Sequence, residues 1–248
     1  MTIQTEEDLV KLKRIGKIVA NTIQIMGKSL EPGMTTQELD NIGRQYLASQ
    51  EARSAPELTY NFPGATCISI NHEVAHGIPG AKKIQPGDLV NIDVSAEKEG
   101  YFADSGFTFI VPPTTPKKLA LTQAARSVLS QCLATVKAGM PLNLIGRIIS
   151  EKAKRQGYAI IKNLGSHGVG RALHEEPEFI APYYDRHDKR ILHKGMVITL
   201  EPFLSTGVQY ASEAKDGWTL TIPRGYFAAQ YEHSLVITDG KPIILTLC

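Results

Sequence analysis

The sequence predicts an α+β protein built from two copies of a helix–helix–strand–strand half-unit, related by a pseudo-twofold axis around a curved, mainly antiparallel sheet. Three observations predict it. Helical periodicity occurs in two pairs of segments, one near the start and one just past the middle. Each pair is followed by stretches that alternate apolar and polar residues with the period of strands. The two halves also share local wording in the same order: Ile42-Gly43-Arg44 with Ile145-Gly146-Arg147, His76-Gly77-Ile78 with His167-Gly168-Val169, and a glycine six residues ahead of a carboxylate, Gly87 to Asp93 and Gly195 to Glu201. Any one match is weak, but their shared order is not expected of chance. No linker divides the halves, about 1–112 and 113–248, so one domain over 1–248 is expected.

Thr5 followed by Glu6, Glu7 and Asp8 predicts an N-cap with an acidic first turn. Leu9, Leu12, Ile15, Val19, Ile23, Met26 and Leu30 then recur at helical spacing up to the break at Pro32-Gly33. Thr35 with Glu38 predicts a second capping box and a helix through about Leu47. Residues 51–66 read as loop around Pro56 and Pro63, and Cys67 to Ile70 as a short strand. Asn71 to Gly80 carries His72 and His76 ahead of a turn at Pro86-Gly87. Beyond Pro112-Pro113 the order repeats, with helices from about Pro116 to Lys137 and Leu142 to Gln156, broken at Gly139, then a strand-like Ala159 to Lys162.

Between these helix pairs, residues 90–109 read as a hairpin. Val90, Ile92 and Val94 alternate with Asn91, Asp93 and Ser95, and Glu97 to Gly100 has the charged, glycine-ended character of a tight turn. A loop at Lys98-Glu99 sets Asp93 directly opposite Asp104, and a loop at Glu99-Gly100 makes them diagonal neighbours on one face. Either register brings two carboxylates together. A hairpin with one solvated polar face would show the same alternation.

Composition narrows the class. A chain of 248 residues, 42% hydrophobic, can bury a full core. The net charge of +2 and the lack of a basic run with interleaved aromatics argue against nucleic acid as a partner. The apolar runs are too short for a membrane span and the acidic start is unlike a signal peptide, so a soluble, cytoplasmic protein is expected. Cys67, Cys132 and Cys248 have no CxxC spacing and read as reduced, mostly packing residues.

Duplication changes the meaning of the hairpin. The second half supplies Glu201 where the first has Asp93, and Glu232 where the first has Asp104, so four carboxylates would converge. Four such groups inside a sheet cannot all stay ionised without positive compensation, and none of their strand segments carries arginine or lysine. A metal pair is the economical solution. Oxygen-rich ligation with one imidazole, expected from His167, suits Mn, Fe, Co or Zn, and bridging carboxylates hold two ions roughly 3.5 to 4 Å apart.

With these residues assembled, the sequence resembles the type I methionine aminopeptidases, members of the pita-bread family that includes creatinase and prolidase. The resemblance covers essentially the whole chain. Its specific parts are Cys67-Ile68-Ser69-Ile70-Asn71, Glu73-Val74-Ala75-His76-Gly77-Ile78-Pro79, Asn91-Ile92-Asp93, Asp104-Ser105, Ser166-His167-Gly168-Val169-Gly170, His174-Glu175-Glu176-Pro177, Thr199-Leu200-Glu201-Pro202 and Glu232-His233. It implies the pita-bread fold and a cytoplasmic hydrolase that removes the initiator methionine from polypeptides whose second residue is small.

The resemblance also implies roles. Asp93 would chelate one divalent ion, Asp104 and Glu232 would bridge both, and His167 with Glu201 would complete the other ion's shell. A hydroxide held between the ions would attack, with Glu201 as general base and proton shuttle. His76 would reach the scissile amide nitrogen and His174 the substrate carbonyl. The substrate's free α-amine would bind a metal, which makes the activity that of an exopeptidase. Phe62, Cys67 and Trp218 fall where the family builds the pocket for the methionine side chain, although aromatics and cysteine are also common core residues. The implied partners are nascent N-termini, with the ribosome as a second, and neither nucleic acid directly nor membrane; a monomer is expected. Ser166 stands where the family usually has glycine, and Leu173 where an aromatic usually precedes His174; the metal site is expected to be indifferent to both, with pocket width affected. Prolidase or aminopeptidase P is the nearest enzyme alternative, and a binding protein on the same scaffold, which would lack ligands, is the alternative of another class.

Overall fold

The computed structural model describes residues 1–247; Cys248 lies outside them, and with it the expectation that it packs in reduced form. The first helix, α1, runs Glu6–Ser29. Thr5 Oγ1 accepts from the Asp8 N–H at 3.1 Å while the Asp8 carboxylate accepts from the Thr5 N–H at 2.9 Å, so the expected cap is a full capping box. Leu12, Ile15, Val19, Ile23 and Met26 are its buried stripe. The second helix, α2, runs Thr36–Ser49 behind the same reciprocal arrangement of Thr35 and Glu38.

Residues 51–66 differ from the expected loop. Arg53–Ser54 forms a short strand and Ala55–Tyr60 a helix, α3. Pro56 sits in its first turn, where the missing N–H would be unpaired anyway, so a residue that looks like a breaker opens the helix instead. The Ser54 side chain accepts from the Glu57 N–H, and Arg44 of α2 grips the Glu57 carboxylate with two bonds of 3.0 and 2.7 Å.

The hairpin pairs Leu89–Lys98 with Tyr101–Ile110. Its two turn residues, Glu99 and Gly100, both have positive φ, 55° and 79°, the combination whose twist matches that of the strands. This selects the diagonal register: Asp93 lies opposite Gly106, and Asp104 opposite Ser95. On the other edge Cys67–Ile70 pairs with the hairpin, Cys67 opposite Asp93.

The second half repeats the plan with helices α4 (Pro116–Thr135) and α5 (Asn143–Arg155), then the short strand Ala159–Ile160. Its main sheet is ordered Ile243–Ile244, His233–Val236, Val197–Leu200, Ser166–Gly168, Glu175–Ile180. All strand pairings among the described residues are antiparallel, as expected. The two halves meet edge to edge. Glu232 N–H donates to the Gly106 carbonyl at 2.8 Å, Ser105 Oγ donates to the Glu232 carbonyl at 2.6 Å, and Asp104 N–H donates to Ser234 Oγ at 3.0 Å. One buried cluster lies between α1, α2 and the hairpin, and another between α4, α5 and the second sheet. Every expected carboxylate is therefore carried on, or one residue from, a strand with its core packed behind it.

Candidate metal centre

The seam between the halves is where the polar side chains gather. Asp93 and Asp104 come from the hairpin, Glu201 follows the strand Val197–Leu200, Glu232 precedes the strand His233–Val236, and His167 is central in Ser166–Gly168. His167 Nε2 stands 3.7 Å from Asp104 Oδ2 and 3.4 Å from Glu201 Oε1. One ligand atom each from Asp104, His167 and Glu232 lies within 4.8 Å of the others. Asp93 lines the same cavity as Asp104, His167 and Glu201. The five expected ligand residues are thus brought to one place.

Their electrostatics call for a cation. Burial pushes Asp93 up to about 7. Burial, then the charges of Asp93 and Glu201, raise Asp104 well above the carboxylate range, and burial followed by its carboxylate neighbours does the same to Glu201 and Glu232. Asp104 Oδ1 and Glu232 Oε1 are buried without a hydrogen-bond partner. An orphaned carboxylate oxygen costs several kcal/mol of lost hydration, roughly, unless a cation faces it. His167 is prepared as a ligand: its Nδ1 lies 2.9 Å from the Gly168 carbonyl, which can only accept, so Nδ1 carries the proton and Nε2 keeps its lone pair. Burial also depresses His167 to about 3, which keeps the imidazole neutral. Carboxylate oxygens with one imidazole nitrogen are a donor set for a first-row divalent metal.

Around these groups is a layer that the sequence reading did not single out. Thr199 Oγ1 donates to Glu201 Oε1 at 2.9 Å and accepts from the His167 N–H at 3.1 Å. Gln230 Nε2 donates to Glu232 Oε2 at 2.9 Å, and its Oε1 accepts from Asn91 Nδ2 at 2.8 Å. A signal existed: Thr199 and Gln230 each precede a carboxylate by two residues, which puts the pair on one face of a strand. Ser166, which stands where glycine is usual, belongs to this layer, its Oγ accepting from the Glu201 N–H at 3.1 Å. The hydroxyl absent from a glycine here fixes the backbone of a carboxylate residue.

A cavity of about 370 Å³ opens over the centre, lined by Asp93, Asp104, His167 and Glu201 on its floor and by Tyr60, Phe62, Cys67, His76, Leu173, His174 and Trp218 on its walls. Phe62 and Trp218 meet edge to face at 5.3 Å, Phe62 buried and Trp218 half-buried. His76 takes the left-handed conformation, φ 54°, a strain tolerated more often at functional positions. The His174 ring lies 4.1 Å from that of His167, and its Nδ1 is 2.7 Å from Tyr60 Oη. Burial lowers both His76 and His174, so both are neutral imidazoles. His72, His187, His193 and His233 do not line this cavity; His233 turns its Nδ1 to Thr246 Oγ1 at 2.8 Å.

A carboxylate centre with a single imidazole, at the seam of a duplicated antiparallel fold, defines a metallopeptidase. The model for metallopeptidase family M24 matches residues 10–239, and the chain belongs to that family. Its relatives narrow the class further. It is 47% identical over 247 residues to methionine aminopeptidase 2 of Bacillus subtilis, covering 99% of each chain, and 36% identical over 249 residues to the methionine aminopeptidase of Escherichia coli, covering 100% of this chain and 94% of that one. The crystal structure of the Rickettsia prowazekii methionine aminopeptidase superposes with a TM-score of 0.94 at 33% identity over the whole of both chains. The prolidase of Pyrococcus furiosus, 23% identical, shares the fold with a TM-score of 0.80, and this chain spans 66% of its length. The pita-bread fold is thereby established.

Proposed function

We propose that this chain is a metal-dependent methionine aminopeptidase that hydrolyses the first peptide bond of polypeptides beginning with methionine and a small second residue. The observation that carries the reading is the pair of buried, unpartnered oxygens, Asp104 Oδ1 and Glu232 Oε1, in the cluster these residues form with His167, of which Asp104 and His167 also line the apolar cavity. Asp93, Asp104, His167, Glu201 and Glu232 would hold two divalent ions, of Co, Mn, Fe or Zn. When bound, such ions supply an acidified water and polarise the substrate carbonyl.

The remaining steps belong to the protein. Glu201, with one oxygen held by Thr199, takes the proton of the attacking water and returns it to the departing amine. His174 donates to the carbonyl oxygen as negative charge develops there. His76, aimed into the cavity, hydrogen-bonds the scissile nitrogen. Phe62, Cys67 and Trp218 enclose the methionine side chain, whose burial is worth about 1.5–3 kcal/mol. The substrate's free α-amine would bind one of the ions that these carboxylates hold, which restricts cleavage to chain ends. A second residue larger than a few atoms would press on the cavity floor. Nascent N-termini, met at the ribosome in the cytoplasm by a monomeric one-domain enzyme, are the natural substrates of such a site; no helix among the described residues is long and apolar enough to cross a membrane.

The test is release of free methionine from Met-Ala-Ser and Met-Phe-Ser by metal-stripped protein, before and after addition of each metal, beside Asp93→Ala. Metal-dependent cleavage of the alanine peptide alone, lost in the variant, is expected. Cleavage of X-Pro peptides in its place would transfer the chain to the prolidase branch.

A further inference from the structure

The two neighbouring imidazoles of the site, His167 and His174, have different partners at Nδ1. For His167 it is a carbonyl, which accepts only, so the free nitrogen Nε2 is a lone pair. For His174 it is the phenol oxygen of Tyr60, at 2.7 Å. A phenol can donate or accept, and no other polar side chain or backbone group hydrogen-bonds Tyr60 Oη among the described residues. Its proton is therefore free to go to His174.

We propose that Tyr60 is a positioning residue for His174: its hydroxyl donates to Nδ1, fixes the ring, and so presents Nε2 as an N–H donor toward the cavity. The inference rests on the peptidase reading for its consequence, because a neutral N–H donor is what a carbonyl gaining negative charge needs. The opposite tautomer would aim a second lone pair beside that of His167, with ring centroids 4.1 Å apart, and would add a competing metal ligand in place of an oxyanion donor. Tyr60 is suited to the task. It closes α3, a helix clamped by the Ser54 cap and the Arg44–Glu57 pair, and Asn61 in the left-handed conformation, φ 55°, ends the helix right behind it. Its ring lies against the His174 ring at 5.7 Å. Burial and the charge of Asp104 raise its hydroxyl above the ordinary phenol value, so at neutral pH it keeps its proton. The sequence offers no hint of the pair, since 114 residues separate its members.

The test is a double-mutant cycle on methionine release from Met-Ala-Ser with the metal-loaded enzyme, using Tyr60→Phe, His174→Ala and both together. Tyr60→Phe is expected to lower kcat roughly tenfold, the low end for partners that orient a functional histidine, with KM within about twofold of the parent. In the His174→Ala background the same change should have no effect beyond about twofold. Equal losses in both backgrounds, or none in either, would overturn the proposal. A second readout needs no turnover: in the zinc-loaded protein, the ¹⁵N resonance of His174 Nδ1 should be that of an unprotonated nitrogen accepting a hydrogen bond, and Tyr60→Phe should remove the displacement that bond causes. A protonated Nδ1 in the unaltered protein, or a signal that Tyr60→Phe leaves in place, would refute it. Methionine release by the unaltered enzyme tests the peptidase reading by itself, so the two can fail separately.

Discussion

His167 Nε2 and Glu201 Oε1 stand 3.4 Å apart without a hydrogen bond between them. Two groups so placed, one a lone pair and the other a carboxylate, have no attraction for each other unless a cation sits between. Replacement of His167 by Ala is therefore expected to lower metal occupancy, counted by elemental analysis after gel filtration, and to lower activity by more than the roughly tenfold to hundredfold typical of outer partners. Full occupancy in His167→Ala would remove the imidazole from the ligand set.

The same cluster sets the pH dependence of the metal-free protein. Burial holds Asp93 at about 7 and keeps Asp104, Glu201 and Glu232 above their ordinary range. A carboxyl whose folded pKa exceeds its unfolded value, about 4, binds more protons folded than unfolded between the two, so the folded state loses stability as pH rises through that window. Divalent ions take the place of the protons. The neutral imidazoles of His76, His167 and His174, held low by burial, work in the opposite direction between pH 7.5 and 5, but both kinds of group must be free of protons to bind metal, so added Mn should raise the melting temperature of chelator-treated protein more at pH 7.5 than at pH 5. An equal rise at both pH values would contradict the account.

The cavity wall predicts a split between binding and turnover. Trp218 meets Phe62 edge to face at 5.3 Å, and its backbone N–H donates at 2.9 Å to Asp216, which is not one of the carboxylates of the metal centre. Trp218→Ala removes part of the apolar enclosure of the methionine side chain, worth about 1 kcal/mol, so KM for Met-Ala-Ser should rise roughly fivefold while kcat changes less. A kcat loss at constant KM would place Trp218 in the chemistry and out of the pocket.

What the sequence could reveal follows from the range of each interaction. The caps at Thr5 and Thr35 span three residues and were legible as written. α3 was not, because Pro56 signals both a break and a first turn, and only the Ser54 to Glu57 spacing separates the two. Both hairpin registers were open until the left-handed pair Glu99-Gly100 selected one. That Asp93, Asp104, His167, Glu201 and Glu232 gather at one seam could be anticipated because each half of the duplicated plan carries its carboxylates at corresponding places on its strands. Their supports were not: Asn91 and Gln230 are 139 residues apart, and nothing local announces that one holds the other.

That support predicts a defect at a distance. Gly106 faces Asp93 across the hairpin, and a Cβ built on it would run into the side-chain amide of Gln230. This amide is held between Asn91 and Glu232, with bonds of 2.8 and 2.9 Å, so any shift that makes room stretches or breaks them. Gly106→Ala must therefore push Gln230 off Glu232, leaving that carboxylate with neither of its oxygens hydrogen-bonded. The backbone itself can accept the residue, since Gly106 is not among the positive-φ positions. Metal affinity, measured by calorimetry, should fall roughly tenfold to a hundredfold, and Gln230→Ala alone should cost a similar factor. In Gln230→Ala the obstructing amide is gone, so adding Gly106→Ala should cost little more. Fully additive losses would mean that Gly106 acts through the strand itself and not through the Gln230 amide.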